Sequence, residues 1–567
     1  MIQAEIEQRL QEATLAHLPD TDRSRVLVRP CADPQHGDYQ SNALMGLAKQ
    51  RKMNPRQLAE DVVRTLDVAD LCESVEIAGP GFLNFRLKPD VLQQSLQAAL
   101  DSECPFVLPA KSPRTVVVDF SSPNVAKPMH VGHIRSTILG DTLARVLRML
   151  GHRVVTDNHI GDWGTQFGML LLGWKTELNE AALKQDPIAE LERLYKAINA
   201  DESRRNEARA ELVKLQSGDE ENLAIWQRMI ALSQEQFDHV YGRLGVTFDE
   251  TLGESFYNPQ LPGLVEELQG KGIAEVSEGA MVVRFPGDKQ LADKPAIVRK
   301  RDGASNYTTT DLATLRYRME TWSPTDMVYV TDGRQQLHFQ QLFNIFGRWQ
   351  ESASAKLEHV WFGSILGPDG KPFKTRSGET VRLADLLDEA EERALAVVSE
   401  KNPDLPDAER REIARVVGLG ALKYADLSNN RQSDYIFDWD KMLALQGNTA
   451  PYLQYAYTRV RSIFRKVDAP DFAKVEFQLK APEELALAKH LMNFGQTLEM
   501  VAQDYRPNFL CNYLFELAGR FSRFYEACPV LKAEVAERDS RLALCELSAR
   551  VLSSGLDVLG IEVTEVM

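Results

Sequence analysis

The sequence predicts a multidomain α/β protein, with a Rossmann-like parallel-sheet domain between an N-terminal α+β domain and a C-terminal all-α helical bundle. Three observations predict it. The β-branched run TVVVDF at Thr115–Phe120 leads through a polar loop into a helical pattern and then a second strand, which is a βαβ unit. From about residue 385 onward almost every apolar residue recurs at helical spacing. The chain has 567 residues, 44% of them hydrophobic and 26% charged, enough apolar material for several cores.

Residues 1–110 open with a helical pattern at Ile2, Ile6, Leu10, Ala13 and Leu15. An alternation at Val75 and Ile77, the turn AGPG and a strand at Phe82–Leu87 follow, giving a small α+β unit. Residues 104–114 contain three prolines and read as a linker. The parallel-sheet domain is placed at 111–383. Within it, Ile134, Ile138, Leu139, Leu143, Val146, Leu147 and Leu150 line a helix that Gly151 stops, and residues 152–156 form the next strand. Residues 175–245 are highly charged and helix-favouring, and are read as a helical insertion. The sheet is expected to resume at residues 280–285, 327–331 and 359–366. A connecting helical region at 384–447 and a helical domain at 448–567 complete the chain.

A net charge of −16 repels polyanions, so any nucleic-acid site must be a local basic patch. The start MIQAEIEQRL has acids where a secretory signal needs an apolar run, and no window approaches 18 apolar residues. No membrane role is expected. Cys31, Cys72, Cys104, Cys511, Cys528 and Cys545 lack metal-binding spacing and are read as free thiols in a reducing cytoplasm.

The loop SSPNVAKPMHVGH at residues 121–133 carries the chemistry. His130 and His133 flank Gly132 at a helix N-terminus, where imidazoles and free backbone N–H groups hold phosphate oxygens and glycine lets an adenine ring approach. A right-handed crossover puts this loop at the carboxyl edge of the sheet, where nucleotides bind. Two histidines three apart could also share a metal, but no third ligand accompanies them in a recognised pattern, and no metal site is expected.

That loop resembles the HIGH signature of class I aminoacyl-tRNA synthetases in the form seen in arginyl-tRNA synthetases. NHIGDWGTQFG from 158, NYTTTDLA from 306 and RQQLHFQQLF from 334 resemble that family's successive active-site segments, and GPDGKPFKTRSG from 367, KYADLSNNRQSDYIFDWD from 423 and GNTAPYLQYAYTRV from 447 resemble further blocks of it. GDYQSNA from 37 and AGPGFLNFRL from 78 resemble that family's extra N-terminal domain. The resemblance spans the chain in order. It implies a cytoplasmic, monomeric arginine–tRNA ligase of translation, which uses ATP and Mg2+ to convert L-arginine to arginyl-adenylate with release of pyrophosphate and then transfers the arginine to the terminal adenosine of tRNA-Arg.

The resemblance also implies roles. His130, Gly132, His133 and Lys127 are expected to bind ATP, together with Lys371 and Lys374 of a degenerate KMSKS loop. His130, His133, Lys127, Lys374 and Arg376 are the expected catalytic groups. Asp119, Ser121, Asn124, His133, Tyr307, Asp311 and Gln335 are expected to hold arginine, and His159, Asp162, Gln166 and His338 to lie near a substrate. A guanidinium pairs bidentately with carboxylates, and Asp311, one helical turn after Tyr307, provides an acid beside an aromatic ring. Trp163 and Phe167 are assigned to core packing.

Residues 450–467 contain Arg459, Arg461, Arg465 and Lys466 with no acid, interleaved with Tyr452, Tyr455, Tyr457 and Phe464. Arginines on phosphates and rings on splayed bases read single-stranded RNA, so Tyr452, Arg459, Arg461 and Arg465 are expected to touch tRNA. Tyr455 and Phe464 fit burial as well as RNA contact. Two alternatives compete: a related HxGH nucleotidyltransferase or synthetase of other specificity, and a catalytically dead RNA-binding relative. The pair Tyr307 and Asp311 argues against the first, and the intact histidines against the second.

Overall fold

The computed structural model describes residues 2–31, 34–350, 354–373 and 381–567. Strands β1 (Arg29–Pro30), β2 (Tyr39–Ser41), β3 (Cys72–Ala78) and β4 (Phe82–Leu87) form an antiparallel sheet in the order β1-β2-β4-β3, with helices before, between and after them. No helix or strand lies between Asp101 and Thr115.

The central sheet is formed by β5 (Thr115–Phe120), β6 (Arg153–Asn158), β7 (Glu250–Thr251), β11 (Asp326–Val330) and β12 (Lys356–His359). Its order is β12-β11-β5-β6-β7, and every pairing is parallel. β5 is rich in buried apolar residues because both its faces are covered. Val116, Val118 and Phe120 join one core cluster, and Val117 joins a second with Met327, Leu312 and Leu342. The helix Val131–Met149 crosses so close to β5 that a Cβ on Gly140 would sit 2.1 Å from the Phe120 ring. Only glycine fits there, and burying Phe120 stabilises this contact by about 1.5–3 kcal/mol. Gly151, at φ +81°, ends that helix.

Two strand expectations change. Residues 280–285 do not extend the parallel sheet: β9 (Ala280–Val283) pairs antiparallel with β8 (Ala274–Ser277) and β10 (Ala296–Arg299) in a separate sheet. The cause is local. Glu278 and Gly279 both take positive φ, the geometry of a tight hairpin turn, so β9 folds back on its predecessor. The run at 359–366 is split, since β12 ends at His359 and Ile365–Leu366 forms β13, which pairs with β14 (Tyr435–Ile436).

The charged stretch folds into helices Glu180–Gln185, Pro187–Ala200, Arg205–Gln216 and Glu220–Leu244, whose Leu191, Leu215 and Met229 share a core with Leu171 and with Val125 and Ile160 of the loops after β5 and β6. The C-terminal helices pack onto the sheet domain through the buried Arg135 of helix Val131–Met149. Arg135 pairs with Asp426 at 3.1 Å and donates to the Gly363 carbonyl at 2.7 Å. Gln93 and Gln97 donate to the carbonyls of Phe477 and Phe472, joining the N-terminal unit to the C-terminal helices. One apolar cluster runs through all three regions. Among the described residues, no helix is long and apolar enough to cross a membrane, and all six cysteines are free.

Candidate active site

The loops after β5, β6, β7 and β11 meet at the carboxyl edge of the sheet, and β5 is the strand at which connections turn to either side. The loop after β5 is strained. Ser121, Ser122 and Ala126 all lie in the left-handed region, at φ 72°, 49° and 62°. Hydrogen bonds from three elements hold them there: Ser121 N donates to Ser136 Oγ at 2.9 Å, Ser122 N to Asn158 Oδ1 at 3.1 Å and Ala126 N to Ser233 Oγ at 2.9 Å. The loop also pairs with the loop after β6, through Asn124 and Gly161.

His130 caps helix Val131–Met149. Its Nδ1 accepts from Gly132 N at 3.0 Å, its own N–H donates to His133 Nδ1 at 3.0 Å, and the two rings lie 4.1 Å apart. A Cβ on Gly132 would sit 2.8 Å from the His130 ring, so glycine is required for the close turn. Burial and the neighbouring His130 lower His133 to about 3, and burial with the charges of Arg334 and Lys127 lowers His130. Both rings are neutral at pH 7, acting as hydrogen-bond groups and not as cations. The positive charges beside them are Lys127, whose Nζ lies 5.7 Å over the Tyr195 ring, and Arg382, whose backbone pairs with His130.

The opposite wall is acidic. Helix Tyr307–Trp322 starts with the exposed Tyr307 and carries Asp311, which lies 2.6 Å from His338 Nε2 and 3.9 Å from His159 Nε2. The Tyr307 and His338 rings meet edge to face at 4.9 Å. A residue that the motifs did not mark, Glu254, joins them. It begins the short helix Glu254–Tyr257, and its N–H donates to the Ile160 carbonyl at 3.1 Å. Asp162 fixes that helix by accepting from Ser255 N at 2.8 Å and Ser255 Oγ at 2.6 Å. Burial, reinforced by the charges of Asp311 and Asp162 and opposed by His159, pushes Glu254 up to about 7. Both ring nitrogens of His159 are buried without a hydrogen-bond partner among the described residues.

Under both walls lies a buried ion triad. Arg318, four turns of α-helix at most from Tyr307 on the same helix, is fully buried and donates to Asp119 Oδ2 at 2.5 Å and Asp157 Oδ2 at 2.8 Å. Asp119 also accepts from Ser122 Oγ at 3.2 Å, and the buried Ser121 hydroxyl is shared with Thr137 and Tyr241, each at 2.8 Å. Asn124 is exposed, and Gln335 is exposed on the turn after β11, beside Arg334.

Of the remaining residues, Lys371 is exposed on a turn closed by Gly367 N donating to the Lys371 carbonyl at 2.7 Å. Lys374 and Arg376 lie outside the described residues. Phe167 is fully buried, and Trp163 packs edge-on against Trp226 at 5.7 Å. On helix Ala450–Phe464 the basic face is partly neutralised. Arg461 pairs with Glu546 at 3.1 Å and Glu565 at 3.6 Å, Arg465 donates to the Glu565 carbonyl at 2.8 Å, and Arg459 lies 5.2 Å over the Tyr525 ring. The sequence window holds no acid, but the chain's end supplies one. Tyr452 is half-buried against Phe515, Phe464 is packed on the core, and Tyr455 is exposed.

Known proteins align with this arrangement. The family profile described as tRNA synthetases class I (R), catalytic domain matches residues 95–439, the Arginyl tRNA synthetase N terminal domain matches 1–87 and the DALR anticodon binding domain matches 453–567. An arginine–tRNA ligase of Chromobacterium violaceum is 50% identical, with 99% of each chain covered, and one of Escherichia coli K12 is 48% identical, with 100% of each covered. The solved arginyl-tRNA synthetase of Thermus thermophilus superposes with a TM-score of 0.84 at 27% identity over 100% of both chains.

Proposed function

The chain belongs to the arginine-specific class I tRNA synthetases, and from that premise we propose that it activates L-arginine with ATP and transfers it to the terminal adenosine of tRNA-Arg. The observation that carries the choice of amino acid is the acidic wall. Asp311 and Glu254 offer two carboxylates to a planar guanidinium, with the Tyr307 ring beside them. Asn124 and Gln335, exposed near this wall, are the groups we assign to the amino, carboxylate and side-chain ends of arginine.

ATP, with magnesium neutralising its phosphates, is the second substrate. The positive end of the helix that begins at 130–133 and its two neutral imidazoles would take the nucleotide, with Gly132 leaving room for the base. Lys127, Lys371, Lys374 and Arg376 are the cations assigned to the phosphates, because charge grows there as pyrophosphate leaves. No group on the protein needs to bond covalently to the substrate. The carboxylate oxygen of arginine attacks the α-phosphorus, and the enzyme contributes position and charge. Tyr452, Arg459, Arg461 and Arg465 are proposed to face tRNA, within a monomer working in the cytoplasm.

The test is aminoacylation of total tRNA with each amino acid separately, and pyrophosphate exchange with and without tRNA. Arginine alone is charged, and exchange appears only when tRNA is added. Charging of no amino acid would overturn the assignment.

A further inference from the structure

The insertion and the signature turn meet at a cavity of about 980 Å³ lined by Lys127, His130, Tyr195, Lys196 and Arg382. Arg382 fixes their relation. Its backbone pairs with His130, Val131 N donates to the Val381 carbonyl at 3.0 Å and Leu383 N to the Met129 carbonyl at 2.9 Å. Its guanidinium reaches into the insertion, to Asp186 at 3.2 Å and Glu192 at 3.8 Å. Asp186 also caps the helix Pro187–Ala200 by accepting from Ala189 N at 2.9 Å. The buried Leu191, Leu194 and Ile198 lock that helix onto the insertion's body. Tyr195 is therefore held at a fixed place beside the turn, although nothing in the signature motif refers to it.

Lys127 is the mobile partner by chemistry: an exposed ammonium on a flexible stem, preceded by the strained Ala126. Its Nζ sits 5.7 Å from the centre of the Tyr195 ring, within range of the attraction between a cation and the negative face of an aromatic ring. Its charge is also felt at His130, whose proton affinity falls mainly by burial and in part because of Arg334 and Lys127.

We propose that Tyr195 is a positioning residue for adenylate formation, its ring holding the Lys127 ammonium at the mouth of the His130 turn so that the cation meets the ATP phosphates already placed. The proposal rests on the assignment of Lys127 to those phosphates. It makes the helical insertion part of the activation machinery: moving the helix Pro187–Ala200 moves the cation.

The experiment compares Tyr195→Leu, Tyr195→Phe, Lys127→Ala and the double variant Lys127→Ala/Tyr195→Leu in the full chain with tRNA-Arg present. The single-turnover rate of arginyl-adenylate formation is read, together with the KM for arginine and the rate of transfer from preformed adenylate. Tyr195→Leu slows adenylate formation about tenfold, leaving the KM for arginine and the transfer rate unchanged. Tyr195→Phe, which keeps the ring, restores the rate, and the double variant is no slower than Lys127→Ala alone. Wild-type activation by Tyr195→Leu in an enzyme that Lys127→Ala does slow would overturn the inference, as would losses that multiply in the double variant. Wild-type activation by Lys127→Ala would instead remove the parent assignment, and this inference with it.

Discussion

The two walls of the cleft are built from the same sheet edge and carry opposite charge. On one side Lys127, Arg334 and Arg382 surround a pair of neutral imidazoles; on the other, Asp311, Glu254 and Asp162 surround His159 and His338. The difference lies in how each wall treats its histidines. Burial and nearby cations keep His130 and His133 unprotonated, so the positive charge of this wall is left to its lysine and arginines. On the acidic wall the carboxylates stand within ion-pair distance of their histidines, which a cationic ligand would displace or join. One substrate is polyanionic and the other carries a guanidinium, so each wall repels the other's ligand, and the order of the two substrates in the cleft is set by charge before any contact is made.

The largest expected effect is on the floor that both walls share. Arg318→Met leaves the buried carboxylates of Asp119 and Asp157 without their partner, and should cost about 3–5 kcal/mol of stability. Denaturant unfolding reads it. A midpoint equal to wild type would mean that the triad is not the common support. Next is the acidic wall. Asp311→Asn keeps shape and hydrogen bonding to His338 but removes the charge, so kcat/KM for arginine should fall about a hundredfold, or roughly 2.7 kcal/mol, while the KM for ATP stays put. The mirror experiment on the cationic wall is smaller. Lys127→Ala should slow adenylate formation by roughly tenfold to a hundredfold and leave tRNA affinity unchanged. If Asp311→Asn raised the KM for ATP as much as that for arginine, the division of the cleft by charge would fail.

What the sequence could reveal follows from how each part is made. β5 and the helix after it are legible because both are largely buried, so apolar residues dominate them and the loop between them stands out. The hairpin of β8 and β9 was misplaced because a strand's residues say that it is buried and not which neighbour it pairs with; the positive-φ turn at Glu278 and Gly279 decides that. The triad was illegible because its members lie 199 and 161 residues apart, and each looks alone like a surface charge. The internal partners of Asp119 and Ser121 were equally invisible, since Arg318, Thr137 and Tyr241 lie far from them in the sequence. Glu254 left one usable trace, an acid followed by an aromatic pair just past the end of a two-residue strand, which is too short to announce itself.

Glu254 also provides the finest test of the contrast between the walls. In the free enzyme its pKa is raised to about 7, mainly by burial, so near pH 6 it is mostly protonated and the acidic wall has lost one of its charges. Arginine, whose guanidinium stays protonated throughout, prefers the ionised carboxylate, and by linkage its binding expels the proton. Affinity for arginine should therefore rise with pH up to about 7 and level off above it, with a slope approaching tenfold per pH unit on the acid side and one proton released per arginine bound there. Calorimetric titration in buffers of different ionisation enthalpy counts that proton. Glu254→Gln, neutral at every pH, should bind arginine at pH 8 about tenfold more weakly than wild type and lose the dependence near 7. The ATP affinity of the same variant should follow the wild-type pH profile, because the histidines of the cationic wall are held below the usual imidazole range. A wild-type slope that survives Glu254→Gln would place the titrating group elsewhere and leave the acidic wall with Asp311 as its working charge.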